Sequence, residues 1–466
     1  MVPLRVVILG GGPGGYEAAL VAAEHGADVS IVSREGLGGN SVLWDCVPSK
    51  ALITSAEAMG WLQSAHRLGV RSSTGADLAA KAVVDMGAVM DRVRRLAQDQ
   101  SEGIARRVIS EGVRVVEGSG RLAGRDAVEV ECLDGRTRVL PADVVLVATG
   151  SHPRALDRSP PDGERVFTSR ELLNLRTLPE RLVVIGSGAT GAEYAHAFAR
   201  FGSQVHLVSN RDQILPGEDP DAAALIEASF ERWGMTIHRR RRALAVEHDG
   251  GGVRVRIGGE EWIEGSHALL CIGQLPSSRG LGLEAAGVEM DARGGIGVDG
   301  VSRTSVHTIY AAGDVTGGIM LATTAAMQGR IAMWHALGKA VAPLRRDAIA
   351  ACVFTDPEVA TVGMSAAEAT RSQLPVETVL LHLAGNSRAK MREHTDGFVK
   401  IHALQGSGAV LGGAVVAERA SELITPLSVA VFNRLTVSQL AYAFSIYPSL
   451  GGSVHEAARL LMGRLA

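Results

Sequence analysis

The side chains whose chemistry is easiest to name lie in residues 36–52, GLGGNSVLWDCVPSKAL. Cys46 can act as a nucleophile or as a redox group, and Lys50 follows it after one helical turn. A small redox loop would need a second cysteine at position 41, but the residue there is Ser41. Because a hydroxyl cannot replace sulfur in disulfide exchange, this stretch offers at most half of a dithiol site.

Two glycine-rich turns, in residues 4–33 and 181–209, each follow an apolar strand pattern and precede a helix pattern. Both read G-x-G-x-x-G, with glycines at Gly10, Gly12, Gly15 and at Gly186, Gly188, Gly191. Glycine permits the tight turn, the approach of the backbone to a pyrophosphate, and close helix–strand packing. The pyrophosphate then lies at the helix N-terminus, where free N–H groups favour negative charge. Two such turns predict two dinucleotides that can meet, which suggests a flavin–nicotinamide enzyme.

Composition narrows the class of protein further. The 466 residues suffice for about three domains, and the net charge of −3 gives no overall attraction to nucleic acid. The four cysteines are scattered, so we expect neither a metal site nor a disulfide framework. The N-terminus enters a strand pattern at once, without room for a signal peptide, and no uncharged apolar run reaches the ~18–20 residues of a membrane span. We therefore expect a cytoplasmic protein without an integral membrane segment.

The order of the patterns indicates how the chain is organised. A buried strand and turn resume at 309–318, IYAAGDVTGG, so the first dinucleotide unit is predicted to be discontinuous, with the second inserted into it. From about residue 348, alternating strand-like runs are followed by helices, which is typical of an α+β module. The predicted fold class is α/β, with two Rossmann-like domains and a C-terminal α+β domain.

Motifs along nearly the whole chain carry a family resemblance. In order they are GGGPGGYEAA, GGN…CVPSKAL, ATGS, VIGSGATGAE, IYAAGDV, FTDPEVATVG, NSRAK and ASELI. In these the chain resembles the flavoprotein disulfide reductases, the class I pyridine nucleotide-disulfide oxidoreductase family that includes dihydrolipoamide dehydrogenase. The resemblance implies an FAD-binding domain at 1–153 and 276–347, an NAD(P)-binding domain at 154–275, and an interface domain at 348–466. It also implies a homodimer or a dimer of dimers.

The resemblance further implies the site residues. Lys50 is similar to the lysine beside flavin N5, and Glu193 is similar to the acid that pairs with it; a lysine there can stabilise negative charge on reduced flavin. Asp314 is similar to the carboxylate that accepts hydrogen bonds from the flavin side-chain hydroxyls. The residues expected to bind FAD are Gly10, Gly12, Gly15, Ser33, Arg34, Gly39, Asn40, Lys50, Gly120, Thr149, Gly150, Ser151, Asp314, Met320, Leu321 and Ala322. Those expected to bind NAD(P)H are Gly186, Gly188, Gly191, Ser209, Asn210, Arg211 and Gly273.

The residues after the second glycine turn bear on the choice of nicotinamide. The segment Ser209-Asn210-Arg211 has no carboxylate that would repel a 2′-phosphate, and Arg211 could reach one. We therefore expect NADPH to be accepted, and NADH as well. The alternative is that Arg211 forms a salt bridge with Asp212 or Glu218.

Two departures from the family pattern concern the same chemistry. The outer cysteine of the redox disulfide is Ser41, and the C-terminal His and Glu that act as a base from the partner subunit are replaced by Tyr447 and Gly452. A tyrosine with a pKa of about 10 is a poor base at neutral pH. The chain is similar in this respect to divergent family members that reduce quinones. Tyr447 could donate a hydrogen bond to a quinone oxygen, or it could be an interface aromatic.

The leading hypothesis is therefore an FAD-dependent NAD(P)H dehydrogenase that reduces a quinone or similar diffusible acceptor and is not a competent lipoamide dehydrogenase. Three alternatives stay open: a soluble pyridine nucleotide transhydrogenase, a Cys46-dependent peroxide reductase, and a non-catalytic flavin-bearing scaffold or redox sensor. Cys46 would otherwise serve packing or flavin tuning, and Trp44 either shapes a pocket with Asp45 or packs in the core. The run Arg239–Arg242 is either a solvated face or an attractor for an anionic cofactor.

Overall fold

The computed structural model describes residues 2–75 and 78–465, so residues 1 and 466, the ends of the predicted domains, lie outside it. The strands are β1 (Arg5–Leu9), β2 (Asp28–Ser33), β3 (Arg114–Leu122), β4 (Ala127–Cys132), β5 (Thr137–Pro141), β6 (Val144–Val147), β7 (Ser151–Pro153), β8 (Val166–Phe167), β9 (Arg181–Ile185), β10 (Gln204–Val208), β11 (Thr236–His238), β12 (Ala245–Asp249), β13 (Gly252–Arg256), β14 (Trp262–Gly265), β15 (His267–Leu270), β16 (Gln274–Pro276), β17 (Ile309–Ala311), β18 (Ala350–Val353), β19 (Glu358–Gly363), β20 (Val376–His382), β21 (Phe398–Leu404) and β22 (Val410–Ala417). The α-helices are α1 (Pro13–Glu24), α2 (Gly39–Leu43), α3 (Cys46–Ser64), α4 (Met86–Ser110), α5 (Ser169–Leu172), α6 (Ala189–Phe201), α7 (Pro220–Arg232), α8 (Leu283–Ala286), α9 (Ala322–Ala336), α10 (Ala366–Arg371), α11 (Ser387–Met391), α12 (Ala420–Leu423), α13 (Thr425–Asn433), α14 (Val437–Ala441) and α15 (Gly452–Leu465).

The first sheet is built around the apolar N-terminal strand. Its order is β17-β6-β1-β2-β3-β4-β5, and β17, β6, β1, β2 and β3 run parallel. Strand β1 is buried from Val6 to Leu9, as its uninterrupted apolar run predicts for a strand covered on both faces. Helices α1 and α9 cross so closely that a Cβ on Gly329 would lie 2.1 Å from the carbonyl oxygen of Gly14. Small residues therefore set this helix contact.

A second parallel sheet follows the second glycine turn. Its order is β11-β10-β9-β15-β8, and an antiparallel sheet of β12, β13 and β14 packs beside it. The chain then returns to the first sheet, because β17 pairs in parallel with β6. The second unit thus lies between two parts of the first in sequence, while the predicted residue boundaries stay a prediction.

The C-terminal unit is an antiparallel sheet in the order β18-β19-β22-β21-β20. Residues of α13, α14 and α15 share its core, among them Leu427, Leu440 and Leu461. Two parallel sheets flanked by helices and one antiparallel sheet confirm the predicted fold class.

A buried ion pair joins the second unit to the C-terminal unit. The Lys400 ammonium on β21 lies 2.6 Å from Oδ1 and 2.8 Å from Oδ2 of Asp219, which precedes α7. Both residues are buried, so neither charge has much water as an alternative partner. A buried pair of this kind fixes the two elements against each other, because separating them would leave two desolvated charges.

Candidate functional site: two dinucleotide clefts

The first glycine turn is shaped partly by the chain and partly for a ligand. Gly10 has φ +108°, and a Cβ there would lie 2.2 Å from the carbonyl oxygen of Ala148; a Cβ on Gly15 would lie 1.9 Å from that of Gly10. At Gly12, however, the nearest atom to such a Cβ is 3.9 Å away. Gly12 also precedes α1 without a side-chain cap, so the helix N-terminus is open to an anion. Gly12 therefore leaves room for a phosphate group.

The cleft at this turn has a volume of about 570 Å³, within the usual size range of ligand sites. Most of the residues predicted to bind FAD line it: Gly10, Gly12, Ser33, Arg34, Gly39, Asn40, Gly120, Thr149, Gly150, Ser151, Asp314, Met320 and Ala322. Gly15 lies beneath the turn, and Lys50 and Leu321 do not line the cleft. The open glycine turn and the ring of polar residues fit a dinucleotide such as FAD.

Asp314 contributes a carboxylate to the lining of this cleft. The Ser151 hydroxyl donates to Oδ2 of Asp314 at 2.7 Å, and the Asn40 amide donates to the Ser151 carbonyl. Burial raises the pKa of Asp314, and the hydrogen bond from Ser151 works against this shift. The remaining acceptor sites on the carboxylate suit the hydroxyl groups of a polyol chain. Ser33, also in the lining, donates to the carbonyl of Gly36 at 2.5 Å and keeps its own lone pairs for a ribose.

The second glycine turn has the same two features as the first, a glycine packed against the backbone and a glycine beside open space. Gly186 has φ +110°, with the carbonyl oxygen of Cys271 2.1 Å from a built Cβ, whereas a Cβ on Gly188 would meet nothing within 4 Å. The adjoining cleft has a volume of about 1190 Å³. Of the residues predicted to bind NAD(P)H, those lining it are Gly186, Gly188, Asn210, Arg211 and Gly273. Gly191 packs against the turn, and Ser209 is buried, accepting hydrogen bonds from the Ser187 hydroxyl and the Arg211 amide.

An ion pair between a partly exposed lysine and a buried carboxylate connects the two dinucleotide units. The Lys50 ammonium, on α3, lies 3.0 Å from Oε1 and 2.7 Å from Oε2 of Glu193, on α6. Oε1 also accepts a hydrogen bond from the backbone N–H of Phe354 at 3.0 Å, and the ammonium lies 4.7 Å from the centre of the Phe354 ring. Burial lowers the pKa of Lys50, but the charge of Glu193, its hydrogen bond to the ammonium and the nearby Cys46 and Asp45 together outweigh burial, so the pKa is raised. The site therefore holds a fixed positive charge.

The position of the family disulfide has a different chemistry here. Ser41 and Cys46 both line the first cleft, and the Ser41 hydroxyl donates to the carbonyl of Gly38 at 2.9 Å. Burial, together with the charge of Asp45, raises the pKa of the Cys46 thiol to about 11. Since the thiolate is the reactive form, Cys46 is a poor nucleophile at neutral pH. Trp44 does not line the cleft; its Nε1 donates to Glu35 at 2.7 Å, and its ring packs on the core.

The arginine run divides between the surface and the second cleft. Arg239 pairs with Glu227 and Glu231, and Arg240 pairs with Asp212. Arg241 and Arg242 line the cleft beside Arg211. The sequence alone could not separate these four arginines, because the run has neither a strand nor a helix pattern to assign faces.

Arg211 itself has no salt bridge in the part of the chain that the structure describes. Its two alternative partners are engaged elsewhere, Asp212 with Arg240 and Glu218 with the hydroxyl of Thr361. An unpaired guanidinium that lines the cleft is therefore available to an anion.

Tyr447 lies outside both clefts of this chain. It is 85% exposed, on a surface segment with Tyr442, Phe444 and Ile446, which are 78%, 104% and 80% exposed. Gly452, which stands in the position of the family's Glu, is the first residue of α15. The partner-subunit role predicted for Tyr447 stays a prediction.

Two glycine turns, each beside a cleft, and an ion pair that joins their two units are the arrangement expected of an oxidoreductase with two dinucleotide sites. The comparisons with known proteins agree. The family model described as pyridine nucleotide-disulphide oxidoreductase matches residues 4–329, and the model of its dimerisation domain matches residues 349–458. The chain belongs to the pyridine nucleotide-disulphide oxidoreductase family.

Relatives of two kinds match over nearly the full length. The chain is 46% identical to an NAD(P)H dehydrogenase (quinone) of Mycobacterium tuberculosis, with 98% of this chain and 94% of that one covered. It is 35% identical to a dihydrolipoyl dehydrogenase of Chlorobaculum tepidum, with 97% and 96% covered. Among solved structures, LpdA from Mycobacterium tuberculosis superimposes with a TM-score of 0.93 at 45% identity, covering 98% of this chain and 100% of that one.

Within residues 2–75 and 78–465, no group of three or more His, Cys, Asp or Glu side chains could hold a metal ion. In the same residues, no helix is both long and apolar enough to cross a membrane.

Replacing Gly188 with alanine tests the second cleft. The new methyl group meets nothing in the protein, but it occupies the space that a pyrophosphate needs. We expect the G188A protein to keep its FAD and its melting temperature, while the KM for the reduced nicotinamide rises by about tenfold or more. The control is Gly217→Ala, where a Cβ is equally unobstructed but lies outside the cleft. Steady-state kinetics with an unchanged KM for G188A would contradict the assignment.

Proposed function

We propose that this protein is an FAD-dependent oxidoreductase that takes hydride from NADPH or NADH and reduces a quinone or a similar diffusible acceptor. One observation carries the proposal: the cleft holds Ser41 and a single half-buried thiol where the family would have a redox disulfide. A disulfide substrate needs a second sulfur, whereas a quinone takes two electrons directly. The 46% identical relative named NAD(P)H dehydrogenase (quinone) supports the same acceptor class.

The FAD would be held by the first cleft. The N-terminus of α1 and Gly12 would accept the pyrophosphate, Ser33 a ribose hydroxyl, and Asp314 the hydroxyls of the flavin side chain. When bound, the flavin supplies an isoalloxazine that accepts hydride and passes electrons on. The chain supplies the fixed charges and the geometry around it.

Lys50 and Glu193 would position the reaction. The buried carboxylate, held by Lys50 and by the N–H of Phe354, keeps the ammonium in one orientation. A fixed cation favours negative charge that develops nearby, and it costs no reorganisation during the reaction. We therefore assign both residues to the hydride-accepting side of the site.

We propose that NADPH is accepted through Arg211 and Arg242. Arg211 is unpaired among the described residues and lies beside Arg242 along the second cleft, so a 2′-phosphate would meet two guanidinium groups there. No carboxylate stands at Ser209 or Asn210 to repel it. NADH should also bind, because nothing in the lining selects against a free 2′-hydroxyl.

We propose a homodimer or a dimer of dimers formed through the C-terminal unit. The match to the dimerisation domain supports this, as does the exposed aromatic and aliphatic segment around Tyr447. Tyr447 would then reach the cleft of the partner subunit and donate a hydrogen bond to the acceptor. All four cysteines are free, which fits the reducing cytoplasm.

The observations weigh differently on the three other functions that the sequence left open. A Cys46-dependent peroxide reductase needs a thiolate, and the raised pKa of about 11 opposes it. A scaffold has no use for a Lys50–Glu193 pair between two open clefts. A soluble transhydrogenase remains the second candidate, because its second substrate would use the same nicotinamide cleft.

An acceptor panel tests the proposed function. We expect benzoquinone or naphthoquinone to give a higher kcat/KM than lipoamide, thio-NAD or peroxide, with either NADPH or NADH as donor. The Cys46→Ser variant should retain quinone turnover within about twofold, because the thiol of Cys46 is protonated and half-buried. Lipoamide as the fastest acceptor, or loss of turnover in the variant, would contradict the proposal. Thio-NAD as the fastest acceptor would favour the transhydrogenase.

A second prediction concerns the nicotinamide. Loss of a charge-assisted hydrogen bond to a 2′-phosphate costs about 1.5–3 kcal/mol, so Arg211→Ala should lower kcat/KM for NADPH about 10- to 100-fold. The value for NADH should change little. Arg240→Ala is the matched control, since Arg240 pairs with Asp212 and does not line the cleft. Equal losses for both nucleotides would show that Arg211 does not read the phosphate.

A further inference from the structure

Asp45 places a carboxyl group in the first cleft, next to Cys46. It lines the cleft together with Ser41 and Cys46, on the side where the family disulfide would stand. Among the residues that the structure describes, none donates a hydrogen bond to its carboxylate and none pairs with it in a salt bridge. The Asp45 carboxyl group is therefore free to bind a molecule in the cleft.

The position of Asp45 makes its free carboxylate unusual. Asp45 precedes α3, where an aspartate ordinarily caps the helix by accepting from a backbone N–H. Two other aspartates do this: Asp85 accepts from the N–H of Ala88 at 2.9 Å, and Asp219 from that of Asp221 at 3.0 Å. Asp45 makes no such bond. The fold therefore does not use this carboxyl group, although it is partly withdrawn from water.

Quinone reduction needs an acid at this place. A quinone becomes a hydroquinone by taking up two electrons and two protons, and a hydride brings both electrons and one proton. The other quinone oxygen must receive its proton from a separate donor. A positioned carboxylic acid in a cleft is such a donor, provided that part of it is protonated at the working pH.

We propose that Asp45 is the general acid that protonates the reduced quinone, an inference that rests on the proposed function. The O–H bond of the Asp45 carboxyl breaks, the proton joins the quinone oxygen that received no hydride, and water then returns a proton to the carboxylate. No other oxidant or reductant is involved. Ser41 and Cys46 line the same cleft as Asp45, where the family would have its disulfide.

The surroundings of Asp45 raise its pKa on balance. Burial raises the pKa of Asp45; the positive charge of Lys50 lowers it, and the negative charges of Glu193 and Asp314 raise it again. The Tyr194 hydroxyl, buried and without a hydrogen-bond partner among the described residues, also lies within the electrostatic reach of Asp45. The acid form is lost as pH rises through this raised pKa, so quinone turnover should fall on the alkaline side.

The test compares an acceptor that needs protons with one that does not. FAD-loaded wild type and Asp45→Asn are assayed with NADPH and naphthoquinone, and with NADPH and ferricyanide, which takes single electrons without protons. General acids typically contribute about 10²–10⁴-fold, so the D45N variant should lose tenfold or more of its quinone kcat. Ferricyanide turnover should stay within about twofold, and the alkaline fall in quinone turnover should disappear. Asp85→Asn, which changes the same side chain away from the cleft, should behave as wild type.

Chemical rescue keeps the test decisive if Asn is poorly tolerated. In Asp45→Ala, added acetate should restore quinone turnover with increasing concentration and leave ferricyanide turnover unchanged. A quinone loss below tenfold, an equal loss with both acceptors, or an absence of rescue would overturn the proposal. Wild type that reduces ferricyanide but no quinone would instead defeat the proposed function.

A spectroscopic readout needs no turnover. The carboxylic acid C=O band of Asp45, identified as the infrared band that D45N lacks, can be followed against pH in the FAD-loaded protein. We expect it to titrate above the ordinary aspartate pKa of about 3.9. Titration at or below that value would overturn the assignment.

Discussion

The Glu193 carboxylate is the group on which the site depends, because all three units meet there. It belongs to α6 of the second unit, accepts from Lys50 on α3 of the first, and accepts from the backbone N–H of Phe354 at the start of the third. Glu193 is 3% exposed, so removing the Lys50 ammonium would leave a buried carboxylate without its cationic partner. The buried pair of Lys400 and Asp219 restricts the second unit in the same way from its other side. The relative placement of the two clefts thus follows from charges that have no better partner.

The redox chemistry then depends on which side chains line the first cleft at the position of the family disulfide. A dithiol would store electrons and pass them to a disulfide, but Ser41 cannot, and the Cys46 thiol is held protonated by its surroundings. The carboxyl group of Asp45 lies in the same place. Under the proposed function, Asp45 would supply protons where the family has a sulfur relay, which suits an acceptor that needs two electrons and protons but no thiol exchange.

Much of this could be predicted from sequence, because glycine turns and continuous apolar strands are local signals. Both turns, the α/β class and the residues lining the clefts followed from spacing and from the family motifs. The roles of Asp45 and Arg242 did not, since burial, missing hydrogen bonds and the lining of a cleft arise only when distant segments pack. The sequence could not decide between a pocket and core packing for Trp44 for the same reason; in the structure its ring packs on the core. The reach of Tyr447 depends on a second subunit and stays a prediction.

The number of electrons that each active site stores distinguishes a flavin that acts alone from a flavin coupled to a redox disulfide. The FAD-loaded protein is titrated anaerobically with dithionite, and the electrons taken up are counted per bound flavin. A flavin accepts two electrons and a disulfide two more. We expect two electrons per site, because the flavin acts without a redox disulfide. An uptake of four electrons would reveal a working disulfide and contradict direct transfer from the flavin.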